Sequence, residues 1–181
     1  MPKREALDTR IQMARMHDSM VEKLNDAMEK GEFVEASWLC YAIFEQRITR
    51  MIQKHLHKCP KQDRSLSAKN VGIATRLDCI IKLSKQGYGG YSQVDDKVFS
   101  KIKKWCRRRN KLVHSLLDIN SYKKYDVAFK ELAEDGALPV PLVYDEATKI
   151  RNWCNEGNSF PRFPSIKCQC TNQRCIHEET Q

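Results

Sequence analysis

Proline is nearly absent from the first three quarters of this chain, and that placement limits the fold more than any other feature. The sequence has 181 residues with only 6 prolines and 7 glycines, and four of the prolines (Pro139, Pro141, Pro161 and Pro164) fall after residue 138. Long proline-free stretches with apolar residues three and four apart suit α-helices and do not suit a turn-rich β fold. The pattern predicts helices over 4–30, 33–57, 67–86, 94–117, 122–134 and 144–155. Gly31 ends the first, Cys59-Pro60 the second and Gly87-Tyr88-Gly89-Gly90 the third, while Gly136 closes the fifth. The Leu138-Pro139-Val140-Pro141 segment reads as extended. With 41% hydrophobic residues the chain can bury a core. The expected architecture is an all-α antiparallel bundle over residues 1–156, followed by a Cys-rich tail at 157–181.

The charge balance points to an anionic partner. Lysine and arginine outnumber aspartate and glutamate 32 to 23, a net charge of +9. Residues 101–111 (KIKKWCRRRNK) concentrate this excess, with no acidic residue among them. Nucleic acid is the first partner such a run suggests. No apolar run approaches the roughly 20 residues of a membrane span, so no membrane partner is expected. The opening residues, MPKREALDTR, are charged and carry no apolar signal-peptide core. A reducing cytoplasm is therefore the expected location, with Cys40, Cys79 and Cys106 as small core residues on helical patterns.

Two charges sit on apolar stripes. At about 100° per residue, with Val98 as origin, Ile102, Trp105, Cys106, Leu112, Val113 and Leu116 share one face of the fourth helix, and Arg109 falls among them at about 20°. Asn110 and His114 fall at about 120° and 160°, near Lys103 and Arg107. A guanidinium on a buried stripe needs a partner. The second helix has the stripe Val34, Trp38, Tyr41, Ala42, Ile48, Ile52 and Leu56, with Glu45 on it. The economical expectation is that Glu45 meets Arg109 and orients it; a purely structural ion pair, or two side chains reaching for the rim, is the competing reading. His114 is either a solvated side chain or a general base whose tautomer Asn110 sets. In the second case Lys103, Lys104, Arg107, Arg108 and Lys111 supply phosphate contacts.

The run Arg109-Asn110-Lys111-Leu112-Val113-His114 resembles the R-x4-H signature, with a polar residue after the arginine, of the HEPN superfamily (higher eukaryotes and prokaryotes nucleotide-binding). The earlier run Ala42-Ile43-Phe44-Glu45-Gln46-Arg47-Ile48 is similar to the long helix that packs against the motif in many members, and the likeness covers roughly residues 20–135. The resemblance implies a helical bundle that cleaves RNA without a metal or other required cofactor, at a site shared by two domains. It implies catalytic roles for Arg109 and His114, support from Asn110, and a toxin or anti-phage defence setting with an antitoxin or inhibitor, and with RNA as substrate or as a bound non-coding or guide strand. Glu45 lies outside the signature, and its supporting role rests on the wheel. One copy of the helix supplies one histidine, whereas cleavage through the 2′-OH needs a base and an acid, so a homodimer is expected. The same basic helix would also serve a non-catalytic RNA-binding module, or a helical interaction protein with an acidic partner.

The tail holds Cys168, Cys170, Cys175 and His177 within ten residues. Three thiols and an imidazole can form a structural zinc site, although the C-x-C-x4-C-x-H spacing is tighter than common zinc knuckles. A flexible tail with free thiols fits the same residues.

Overall fold

The computed structural model describes residues 18–58, 71–115, 122–158 and 160. Over these residues the chain is helical and forms no strand. Helix α1 covers 18–30, α2 Phe33–Lys58, α3 Ile73–Lys85, α4 Asp96–His114, α5 Tyr122–Ala137 and α6 Pro139–Asn155, with a short 3₁₀ turn at Gly89–Gln93 between α3 and α4. No helix among the described residues is long and apolar enough to cross a membrane.

Helix α2 is the central element and packs chiefly on α5 and α6, with α3 beside it. Its buried side carries Ala36, Cys40, Ile43, Phe44, Ile48 and Met51. That face is turned by roughly 120° from the stripe expected around Trp38; Ile48 and Ile52 of that stripe are buried, whereas Trp38 is 52% exposed. The reason is that α2 carries apolar residues around most of its circumference. Periodicity then specifies a helix without saying which side the neighbours will take. Helix α4 sits against α3, α5 and α6 and touches α2 only sparsely. Phe44 of α2 meets Trp105 of α4 edge to face, centroids 5.3 Å apart.

Gly31 and Gly87 end α1 and α3 in the same way. Each has positive φ (73° and 62°), and each is followed by an amide that reaches back five residues: Glu32 N–H to the Ala27 carbonyl at 2.8 Å, and Tyr88 N–H to the Leu83 carbonyl at 3.0 Å. These are Schellman closures, which glycine enters without steric cost. Several expected boundaries move. Gly136 lies inside α5 rather than closing it, beneath the Trp105 indole, whose Nε1 donates to the Leu132 carbonyl at 2.7 Å. The 138–141 segment is helical, because Pro139 and Pro141 occupy the first turn of α6, where an amide has no intrahelical acceptor to lose. Helix α3 starts at Ile73 instead of near residue 67, and α4 stops at His114, three residues short of the expected end. Phe160, expected in the tail, is buried, stacks on Tyr88 and packs at a tilt against Tyr91 and Trp153. The packed body therefore reaches past residue 157.

Candidate functional site

Helix α4 is held firmly at its start. The Asp95 carboxylate caps it by accepting the Lys97 N–H at 2.9 Å, and the buried Glu146 of α6 accepts the Asp95 N–H at 2.9 Å while taking Lys149 Nζ at 2.8 Å. Its core side is Val98, Phe99, Ile102, Trp105, Cys106 and Arg109, so the arginine is buried among apolar residues as its wheel position requires.

Arg109 is only 7% exposed. Its Cζ lies 3.9 Å from the centre of the Trp38 ring and 4.8 Å from that of Tyr41. Both aromatics come from α2, at positions one turn apart. Nη1 donates a long hydrogen bond of 3.4 Å to Asn110 Oδ1, and Nε and Nη2 are buried without a hydrogen-bond partner among the described residues. An orphaned buried donor costs about 1–3 kcal/mol, against about 0.5–2 kcal/mol returned by a cation–π contact. The guanidinium is thus positioned by aromatic faces and left chemically unsaturated at its edge.

The expected Glu45–Arg109 ion pair does not form. Trp38 and Tyr41 take the space over the guanidinium, and Glu45, half-buried one turn beyond Tyr41, acts at longer range. Its charge is felt by both Tyr41 and Cys106. Burial, then Glu45, hold the Tyr41 phenol above its ordinary value, while Arg109 and Arg76 work the other way. Burial pushes the Cys106 thiol to about 12, with Arg109 opposing and Glu45 adding. Arg76 of α3 was not singled out in the sequence. It is buried, and its Nη1 donates to Thr49 Oγ1 at 2.7 Å, so a second cation is fixed beside Tyr41.

The outer face of α4 divides. Lys103 pairs with Asp78 of α3 and Arg108 with Asp135 of α5, because those helices flank α4 and bring acidic side chains against it. Lys104, Arg107 and Lys111 are exposed and make no ion pair among the described residues. His114, the last residue of α4, is exposed, as is Asn110. Asn110 engages Arg109 and forms no hydrogen bond with His114. Five residues of helix turn the histidine about 140° away from the arginine, so in one chain the two point to different surroundings. Cys168, Cys170, Cys175 and His177 lie outside the described residues. Trp38 and Tyr41 were not expected as contacts of Arg109 because the stripe counts them as core; the second apolar run Cys40, Ile43 and Phe44 on another side of α2 was the signal against that.

Comparison of the chain with protein-family models, with curated proteins and with solved structures found no match.

Proposed function

We propose that this protein is a metal-independent endoribonuclease of the HEPN type, a toxin or anti-phage defence effector that cuts RNA by attack of the 2′-OH on the adjacent phosphate. One observation carries the reading. Arg109 is buried with two donor nitrogens, Nε and Nη2, that find no partner among the described residues, five residues before a solvent-facing histidine on a basic helix. Phosphate oxygens are the acceptors that a bidentate guanidinium suits best.

In this scheme His114 takes the 2′-OH proton, the 2′ oxygen bonds to phosphorus, and the bond to the 5′ oxygen breaks. Arg109 neutralises the dianionic phosphorane, and a second histidine protonates the leaving 5′ oxygen. The products are a 2′,3′-cyclic phosphate and a 5′-OH. The divergence of Arg109 and His114 around one helix favours a cleft between two copies, in which the arginine of one can serve the histidine of the other. Single strands are the expected substrate, because in-line attack needs a backbone freed from A-form geometry.

The test is single-turnover cleavage of a single-stranded RNA in the presence of EDTA. Wild-type protein should cleave and leave a cyclic phosphate, and His114→Ala should lose about 10²–10⁴-fold in rate with an unchanged melting temperature. Full activity in His114→Ala, or loss of wild-type activity on adding EDTA, would reject the mechanism.

A further inference from the structure

We infer that Trp38 is a nucleobase platform of this site, stacking one unpaired base of a single-stranded RNA against its outer face while its inner face holds Arg109. The inference rests on the ribonuclease reading and names a binding residue which that reading lacks.

Three observations lead to it. The first is exposure: Trp38 stands 52% exposed on α2, whereas Ile43 and Phe44 of the same helix are fully buried. An indole left half in water gives up much of the benefit of burying so large a ring, so a site with a use for that surface is the economical account. The second is orientation. Arg109 sits 3.9 Å over the ring centre, and Tyr41 packs on the same guanidinium at 4.8 Å. The indole is therefore presented by its stack on a buried cation. The third is how little else holds that cation: Nε and Nη2 are buried with no hydrogen-bond partner among the described residues, and Nη1 reaches Asn110 at 3.4 Å, so the two rings are its main contacts. A base on the indole would stack on a ring whose other face is already backed by that cation. Ring and cation are then one recognition unit, in which the aromatic takes the base and the arginine behind it holds the ring in place.

The chemistry selects single strands. A base in a duplex is already stacked on both sides, and an A-form helix does not offer its face to a protein ring. Every base has a π-face, so the platform predicts tolerance of sequence rather than a base preference. The net charge of +9 favours a polyanion over a protein partner as the occupant.

The test uses full-length His114→Ala protein, which binds without cutting, and a labelled single-stranded oligoribonucleotide, its abasic counterpart with the same phosphates, and a duplex of equal length. Trp38→Ala should weaken binding of the base-bearing strand at least about tenfold and leave the abasic strand and the duplex nearly unaffected. Trp38→Phe should retain most of the affinity. Indole emission should be quenched on adding the base-bearing strand, and that quench should vanish in Trp38→Phe, since Trp105 is buried and Trp153 half-buried. The abasic arm on unsubstituted Trp38 needs no altered fold: equal affinity for abasic and base-bearing strands overturns the inference. So does an unchanged affinity in Trp38→Ala, and if that variant instead changes oligomeric state, the indole belongs to a protein interface. If the protein binds no RNA at all, the ribonuclease reading falls together with the platform; if it binds RNA indifferently to Trp38, only the platform falls.

Discussion

Arg109 decides most of what happens at the end of α4. Had it been locked to Glu45, removing it would have stranded a buried carboxylate, at a cost of about 3–5 kcal/mol. With Trp38 and Tyr41 as its partners and Glu45 half-buried, the loss is that of the cation–π contacts and one long hydrogen bond to Asn110, partly offset by removing two unsatisfied buried donor nitrogens. Arg109→Ala should therefore change stability by no more than about 2 kcal/mol, read from the urea midpoint, while abolishing cleavage. Arg109→Lys keeps the charge without the planar fork, and its cleavage should fall at least about a hundredfold. A variant of Arg109 that unfolds outright would show that the carboxylate matters after all. The thiols give a second residue-scale expectation. Burial holds Cys40 and Cys106 at about 12 in the fold against an ordinary 9.0. The fold favours the protonated thiol, so its contribution is intact below about pH 9 and is lost as pH rises from there towards about 12. Each thiol contributes a slope of up to about 1.4 kcal/mol per pH unit in that window. Urea unfolding at about pH 8 and about pH 10.5 should show the drop, and Cys40→Ala should make it shallower.

Among the elements, α5 shows how tertiary packing overrides local signals. A glycine near a helix end normally marks its close, and Gly→Ala in a helix interior normally stabilises by about 1 kcal/mol. At Gly136 an added Cβ would stand 2.7 Å from atoms of the Trp105 indole. The ring cannot retreat without giving up its hydrogen bond to the Leu132 carbonyl and its edge contact with Phe44. Gly136→Ala should therefore destabilise by about 1–3 kcal/mol. A raised melting temperature in that variant would mean the α4–α5 contact is looser than its geometry indicates. The same logic fixes the end of the body, where Gly90 has the Trp153 ring 2.9 Å from its would-be Cβ and Phe160 packs alongside.

For the whole molecule, the decisive matter is whether one chain suffices. Arg109 faces the interior and His114 faces solvent, so within the motif a single copy presents one histidine and an arginine turned away from it. Mixing Arg109→Ala chains with His114→Ala chains should restore part of the activity, because a heterodimer retains one intact arginine and one intact histidine in a shared cleft. The readout is cleavage rate against mixing ratio, with each variant alone as baseline. No recovery at any ratio, together with a wild-type chain that sediments as a monomer at working concentration, would place all the chemistry in one copy.

The all-helical architecture could be read in the sequence, because sparse proline and three-to-four-residue apolar spacing are local properties that survive any packing. Gly31 and Gly87 were legible for the same reason: a chain reversing out of a helix needs positive φ at one residue. Arg109 announced its burial through its place among Ile102, Trp105 and Cys106. The partner of Arg109 was not legible. Which face of α2 turns inward depends on where α5 and α6 settle, and a helix apolar on several sides leaves that choice to its neighbours. Packing put Phe44 inside and Trp38 at the rim, and so gave the guanidinium two rings in place of a carboxylate. It also drew Phe160 into the aromatic cluster and pressed Trp105 onto Gly136. These are contacts between residues far apart in the chain, settled by shape and volume, which no local periodicity encodes.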